Sequence, residues 1–389
     1  MKLEIIQKFL ITNKIFLITL FIFLIFGPLV SLPFIIYGIC NDKENFNFYL
    51  FFISIFLGYI AYNFEPLIVD DLFRHYESMN HLSQLNIFEA IFKDMNILNN
   101  LIFYILGKFN IERLYPVIGT IITYYLGLLS ITKVLKKSNF SNLQIILIII
   151  LSLVLWPFRL VTSGIRNFVV ISIIVYWFFA REEKLLQASS ILIIVACFFI
   201  HAYTIIFVFF YCCYKFIPKK YYVNVFIVFI LSILIFDLIG PYLVNIPIIG
   251  YYISKFLAYR NAPLDYDFFS FIYIVGRIFF LIFTLFYAIY TKKVSKQFIL
   301  LIGITIISLI LNSRTFSERN MVFVAIVTFL LLIKNMNISI KIKKINTLIL
   351  LTCILFFSAL NYPTIRNYPL NQPICKICNT GLIQIIFFD

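Results

Sequence analysis

Residues 133–166 read KVLKKSNFSNLQIILIIILSLVLWPFRLVTSGIR, and this stretch decides the class of the fold. Lys133, Lys136 and Lys137 stand at one end, Arg159 and Arg166 at the other, and an uncharged apolar run, 143–158, lies between them. The same alternation recurs along the chain. Lysines gather again at Lys215, Lys219 and Lys220, at Lys292, Lys293 and Lys296, and at Lys341, Lys343 and Lys344, whereas the intervening turns carry Arg260 and then Arg314 and Arg319. Lysine-rich short loops are what the positive-inside bias places in the cytoplasm. Nothing in that bias asks for arginines at the opposite ends of the same spans, where a guanidinium at the membrane edge is costly. Arginine stays charged and grips phosphate or carboxylate through two parallel hydrogen bonds. The arginine set therefore points to an extracytoplasmic site for a phosphorylated, membrane-borne substrate.

Composition agrees with this reading. The chain has 389 residues, 62% of them hydrophobic and only 13% charged, with a mean hydropathy of +1.01. Apolar runs of this density exceed what a single soluble core covers, so the expected fold class is all-α: a polytopic helical membrane protein. The formal charge of +15 is split among short loops, with no basic arm and no RNA-binding aromatic motif, and no nucleic-acid partner is expected.

About 20 apolar residues cross roughly 30 Å of hydrocarbon. Candidate spans are 15–37, 46–63, 112–132, 143–158, 164–180, 185–200, 202–214, 222–240, 269–290, 297–312, 320–333 and 345–360, which gives about 11 to 13 in a single domain over 1–389. Alternation from the Lys133–Lys137 loop places Lys184, Lys219, Lys292 and Lys341 inside. It places Arg166, His201, segment 241–268, Arg314 with Arg319, and the tail 361–389 outside. Lys2, Lys8 and Lys14 favour a cytoplasmic N-terminus, yet two simple spans would then leave 64–96 inside. The alternatives are a short span at 97–109, a break of the first stretch at Gly27-Pro28 and Pro33, or an outside N-terminus; the last two place 64–96 outside and are favoured. The start is too long for a signal peptide and lacks a small-residue cleavage site.

Cys40, Cys197, Cys212, Cys213 and Cys353 read as packing residues. Cys375 and Cys378 form a lone C-x-x-C with no second pair, so no metal site is expected. Segment 241–268 is rich in turn residues and tyrosines. Tyr259, Arg260 and Asp265 suit a sugar, whose C–H faces stack on aromatic rings while its hydroxyls hydrogen-bond; an interfacial aromatic belt explains the tyrosines equally well.

Four clusters could carry chemistry. Asp71, Arg74 and Tyr76 follow a span end, and on a helix Asp71 and Arg74 share a face; the bland alternative is a surface ion pair. Ser163-Gly164-Ile165-Arg166-Asn167 places an arginine at the start of a span, where it could also merely snorkel. His201 sits between two apolar runs, a position where an imidazole is either a hydrogen-bonded packing residue or functional. Residues 312–320 form a polar hinge in which Arg314 and Arg319 flank Glu318. Pairing with one carboxylate still leaves net positive charge there, which favours anion binding over a self-satisfied network.

The ordered set of Asp71, Arg74 and Tyr76 after Tyr62-Asn63-Phe64 and Pro66, then Ser163-Gly164-Ile165-Arg166-Asn167, then Phe199-Ile200-His201, then the late arginine-rich turn resembles the EpsG-type branch of the Wzy polysaccharide polymerases over roughly residues 46–330. The resemblance implies an architecture like that of the GT-C membrane glycosyltransferases and no cofactor. It also implies a substrate, an oligosaccharide unit on undecaprenyl pyrophosphate, whose growing chain passes to the next lipid-linked unit outside the cytoplasmic membrane. A flippase and a chain-length regulator are the implied partners, besides the lipid bilayer. Arg166, Arg314 and Arg319 would grip the pyrophosphate in place of a divalent cation, with Arg74 joining them or held by Asp71. The general base is open among Asp71, His201 and Glu318, with His201 favoured because a carboxylate paired to arginine is the weaker base. Rival readings are a lipid-linked glycan ligase, which would make a single transfer, and a flippase, which would need polar groups through the bilayer midplane.

Overall fold

The computed structural model describes residues 14–42, 44–68, 70–94, 96–136, 140–180, 187–201, 215–245, 268–292, 294–310, 314–338 and 343–366, with Val208, Tyr211, Cys212, Gly250, Ser254 and Leu257. These residues form helices and connecting turns, with no β-strand among them. In chain order the helices are α1 (Lys14–Asn41), α2 (Phe46–Tyr62), α3 (Asp71–Leu82), α4 (Ile87–Ile91), α5 (Ile97–Lys108), α6 (Leu114–Lys136) and α7 (Asn142–Leu155). They continue as α8 (Phe158–Ser163), α9 (Ile165–Ile174), α10 (Ala188–Ile200), α11 (Tyr222–Leu243), α12 (Phe268–Tyr290), α13 (Lys296–Ile310), α14 (Arg314–Ile338) and α15 (Lys343–Arg366). A single π-helical turn, Val175–Ala180, prolongs α9.

Among the described residues, four stretches are long and apolar enough to cross a membrane, namely Leu114–Thr132, Phe271–Tyr290, Ser317–Met336 and Lys344–Asn361, and there are shorter apolar helices besides. The chain is thus an all-helical protein of membrane type. Shorter helices, among them α5, α7, α9 and α10, also stand where hydropathy places candidate spans or beside them, while the expected span 202–214 lies almost entirely outside the described residues. Local signals explain where several of them stop. The backbone of α1 leaves helical geometry at Gly27, at φ 84° and ψ 176°, a conformation that costs glycine nothing, and Pro28 follows immediately. The first hydrophobic stretch is therefore two helical pieces. Ser141 and Gln144 close a reciprocal capping box at the start of α7. Pro157 ends that helix by holding Trp156 in an extended conformation.

Helix α14 is the centre of the bundle, with 89% of Ser317–Met336 buried, and it packs against α12, α13 and α6. The hydropathy reading made 312–320 a hinge, but the helix already begins at Arg314. Its polar first turns are accommodated by the neighbouring helix: Ser317 Oγ donates to the Ser308 carbonyl at 2.7 Å, and Asn320 Nδ2 to Ser308 Oγ at 2.8 Å. Satisfied in this way, polar side chains need no water and the helix need not break.

Segment 64–96 is largely helical. Leu72, His75, Met79 and Leu82 recur three or four residues apart and form the buried stripe of α3. That stripe joins Phe64, Ala90, Phe103, Leu106, Tyr115 and Ile165 in a second hydrophobic cluster, separate from the main core. Helix α3 can seat itself on α5 because Gly107 has no side chain. A Cβ there would lie 2.5 Å from the Met79 carbonyl oxygen, and a backbone atom of a packed helix cannot give way.

Candidate functional site: an arginine cluster at one end of the bundle

The charged residues at the N-terminal end of α3 flank its buried stripe. Asp70 precedes the helix, and its carboxylate accepts from the Leu67 amide at 2.9 Å. Its other oxygen accepts from Arg159 Nη2 at 3.3 Å, which ties α3 to α8 across 89 positions of sequence. Asp71, the first residue of α3, is held between two guanidiniums: Arg74 one turn along the same helix and Arg319 in the second turn of α14, 248 positions away. Arg74 is mostly exposed and Arg319 mostly buried. The Arg74 contact alone is a weak surface pair; the Arg319 contact fixes where α3 meets the central helix.

His75, one turn beyond Asp71, is buried with its ring edge-on to Tyr115 at 5.7 Å and tilted on Phe103 at 5.2 Å. Burial pushes its pKa well below the ordinary imidazole value, and the positive fields of Arg166, Arg319 and Arg74, with that of His201, push in the same direction. These charges reach the ring from α3, the start of α9, the end of α10 and the start of α14, so those four helix ends face one region of the bundle. Arg166 begins α9 and makes no ion pair among the described residues. His201 caps α10, in extended conformation, its amide donating to the Cys197 carbonyl at 2.9 Å.

Three of the four expected clusters therefore converge with part of the fourth. Asp71 with Arg74, Arg166, His201 and Arg319 share one end of the bundle. Glu318 does not pair with Arg319; one residue along the helix is about 100° around it, and Glu318 instead acts on Tyr273 and Arg277 of α12. Tyr76 turns towards Arg113, Glu112 and Tyr62, its hydroxyl buried without a hydrogen-bond partner. The Arg314 backbone belongs to the first turn of α14, and its side chain lies outside the described residues, as do Tyr259, Arg260, Asp265 and the tail beyond residue 366.

Sequence reasoning passes over Asp70 and His75, counts Arg159 in the arginine set without giving it a role of its own, and overlooks Arg277. Asp70 and His75 carry a faint signal, being neighbours of Asp71 at helix positions −1 and +4. Arg277 carries none that a hydropathy window retains, since the apolar run around it swamps a single charge.

The balance of charge limits what the cluster can do. Asp70 pairs with Arg159 and Asp71 with Arg74 and Arg319, while Arg166 acts on the neighbouring His75, so among these described residues positive charge remains after pairing. Such an arrangement binds anions, and planar forks favour phosphate or carboxylate. A comparison with known proteins finds no family model, no curated protein and no solved structure that matches the chain.

A neutral, buried His75 also makes stability depend on pH. The unfolded chain takes up a proton near pH 6.5 and the folded chain does not, so stability is complete above that value and falls as pH drops below it, by up to about 1.4 kcal/mol per pH unit. Thermal unfolding of purified protein between pH 7.5 and 5 should show this loss, and His75→Gln should flatten it. An unchanged slope in the variant would place the titrating group elsewhere.

Proposed function

We propose that this chain is a multi-pass membrane glycosyltransferase that joins oligosaccharide units carried on a polyprenyl pyrophosphate into a polysaccharide, with its active site on the extracytoplasmic face. The observation that carries the reading is the gathering of Arg74, Arg159, Arg166 and Arg319, from three separated parts of the chain, near Asp70, Asp71 and His75. The order of motifs that resembles the EpsG-type polymerases supports it. So does the lysine bias of the opposite ends, which sets this face outside.

In the proposed reaction an acceptor hydroxyl of the next lipid-linked unit attacks the anomeric carbon of the growing chain. The new bond is C–O to the acceptor; the bond that breaks is C–O to the lipid pyrophosphate, which leaves as the anion, and the hydroxyl proton goes to a base. Arg166 and Arg319 stabilise the charge that develops on the leaving pyrophosphate. Arg159 and Arg74, each held by an aspartate, complete the field. His201 is the base the geometry favours, because both oxygens of Asp71 are occupied by guanidiniums and Glu318 faces α12.

The reading makes a cellular prediction. Deletion of the protein should leave cells that make and export single lipid-linked units but no long polymer, seen as one short band on a gel of extracted glycolipid. Accumulation of units on the cytoplasmic face would instead indicate a transporter. Persistence of the polymer with loss of its attachment to a final acceptor would indicate a ligase.

A further inference from the structure

Helix α12 carries one arginine in the middle of an otherwise apolar stretch, Arg277, and its side chain is fully buried. The guanidinium lies over the ring of Tyr273, 3.4 Å from the centroid, and Nη1 donates to the Tyr273 carbonyl at 3.2 Å, one turn back along the helix. The side chain thus runs towards the N-terminal end of α12. Helix α14 packs alongside, and its first turns hold Arg319 and Glu318, the latter close enough to act on Arg277 electrostatically. Arg277 therefore lies at the same end of the bundle as the arginine cluster, in the third turn of its helix and inside a stretch apolar enough to cross a membrane.

Two of its nitrogens, Nε and Nη2, are buried with no hydrogen-bond partner, and so is the Tyr273 hydroxyl on the ring beneath them. Each of these groups can donate. A buried guanidinium left with open donors is among the most unfavourable arrangements in a protein, and more so at membrane depth. Cation–π contact with Tyr273 and with Phe357, 5.8 Å away, relieves part of the cost but satisfies no N–H. A packing role would be served by methionine or leucine at no such cost.

We infer that Arg277, with Tyr273, is an anion-binding position that extends the arginine cluster into the membrane and receives a phosphate oxygen of the lipid-borne pyrophosphate. The inference rests on the reading above and deepens it. An anion bound at the cluster by its outer phosphate would direct its lipid-proximal phosphate downward, towards the bilayer, where Arg277 waits with unused donors. Glu318 is the rival partner for the same guanidinium, and the two assignments predict opposite effects on stability. If Glu318 is the partner, removing Arg277 strands a carboxylate and destabilises the fold. If the partner is a ligand, removing a buried unpaired charge leaves the empty protein equally stable or more so.

The test is thermal unfolding of the full-length protein in detergent, wild type against Arg277→Met and Tyr273→Phe, alone and with farnesyl pyrophosphate or inorganic pyrophosphate. The wild type should be stabilised by farnesyl pyrophosphate. Arg277→Met should unfold at the same or a higher temperature when empty and bind farnesyl pyrophosphate roughly 10- to 100-fold more weakly, as expected for losing a charge-assisted hydrogen bond; Tyr273→Phe should weaken binding less. A loss confined to farnesyl pyrophosphate assigns the position to a lipid-borne phosphate, and a loss shared with inorganic pyrophosphate assigns it to phosphate in general. Full binding by Arg277→Met, or a variant that is destabilised or does not fold, overturns the inference and leaves the arginine cluster in place. A wild type that responds to neither pyrophosphate while it folds normally overturns the phosphate reading of the whole site.

Discussion

Arg319→Lys and Arg166→Lys should each lower polymer formation by the purified protein by about 10²- to 10³-fold, the usual loss for one preorganised donor to a developing charge, or roughly 3–4 kcal/mol. Lysine keeps the charge and the aliphatic stem, so a residue that only anchors the chain at the membrane surface would tolerate it. It cannot reproduce the planar fork. Because more charge sits on the departing pyrophosphate in the transition state than in the ground state, the loss should fall on kcat more than on KM. For Arg319 the fork also engages Asp71, so its variant should show an additional weakening of the α3–α14 junction, readable as faster proteolysis of segment 64–96. Near wild-type turnover in both variants would make these guanidiniums membrane anchors.

Asp71→Asn is the second large effect. The substitution preserves shape while freeing Arg74 and Arg319 from a carboxylate that both use. Two outcomes follow from one change: the site gains a net positive charge, which should tighten the binding of lipid pyrophosphate, and Arg319 loses the contact that orients it, which should lower turnover by roughly 10- to 100-fold. Asp71 is thus a positioning residue whose removal moves KM and kcat in the same downward direction. A base would behave differently, with kcat falling and KM unaffected, and with a pH profile that loses one limb. Measuring kcat and KM separately across pH distinguishes these cases.

The helical class and the two-sided charge pattern are legible because they are properties of runs: hydropathy sums over about 20 residues, and the lysine clusters repeat. Helix α3 carries a signal of the same kind, Leu72, His75, Met79 and Leu82 at helical spacing, which the conditional reading of Asp71 and Arg74 leaves unused. The junctions are not. No local pattern tells that Asp71 pairs with Arg319 rather than that Glu318 does, because the choice is made by the packing of α14 against its neighbours. The start of α14 is hidden for the same reason: Ser317 and Asn320 look like hinge residues until Ser308 of α13 is seen to satisfy them. Arg277 is hidden by averaging. The shortness of α7, α8 and α9 follows from single residues, Pro157 and Gly164, that a window treats as minor.

The central claim is that the arginine cluster acts on a lipid pyrophosphate to extend a glycan. Its most direct test supplies the purified, membrane-reconstituted protein with a single species of lipid-linked oligosaccharide unit and follows product length by gel and mass spectrometry. The account predicts a ladder rising by one repeat unit per step, with one polyprenyl pyrophosphate released per step. Absence of any product longer than the unit, from protein that is folded and binds the substrate, would contradict it.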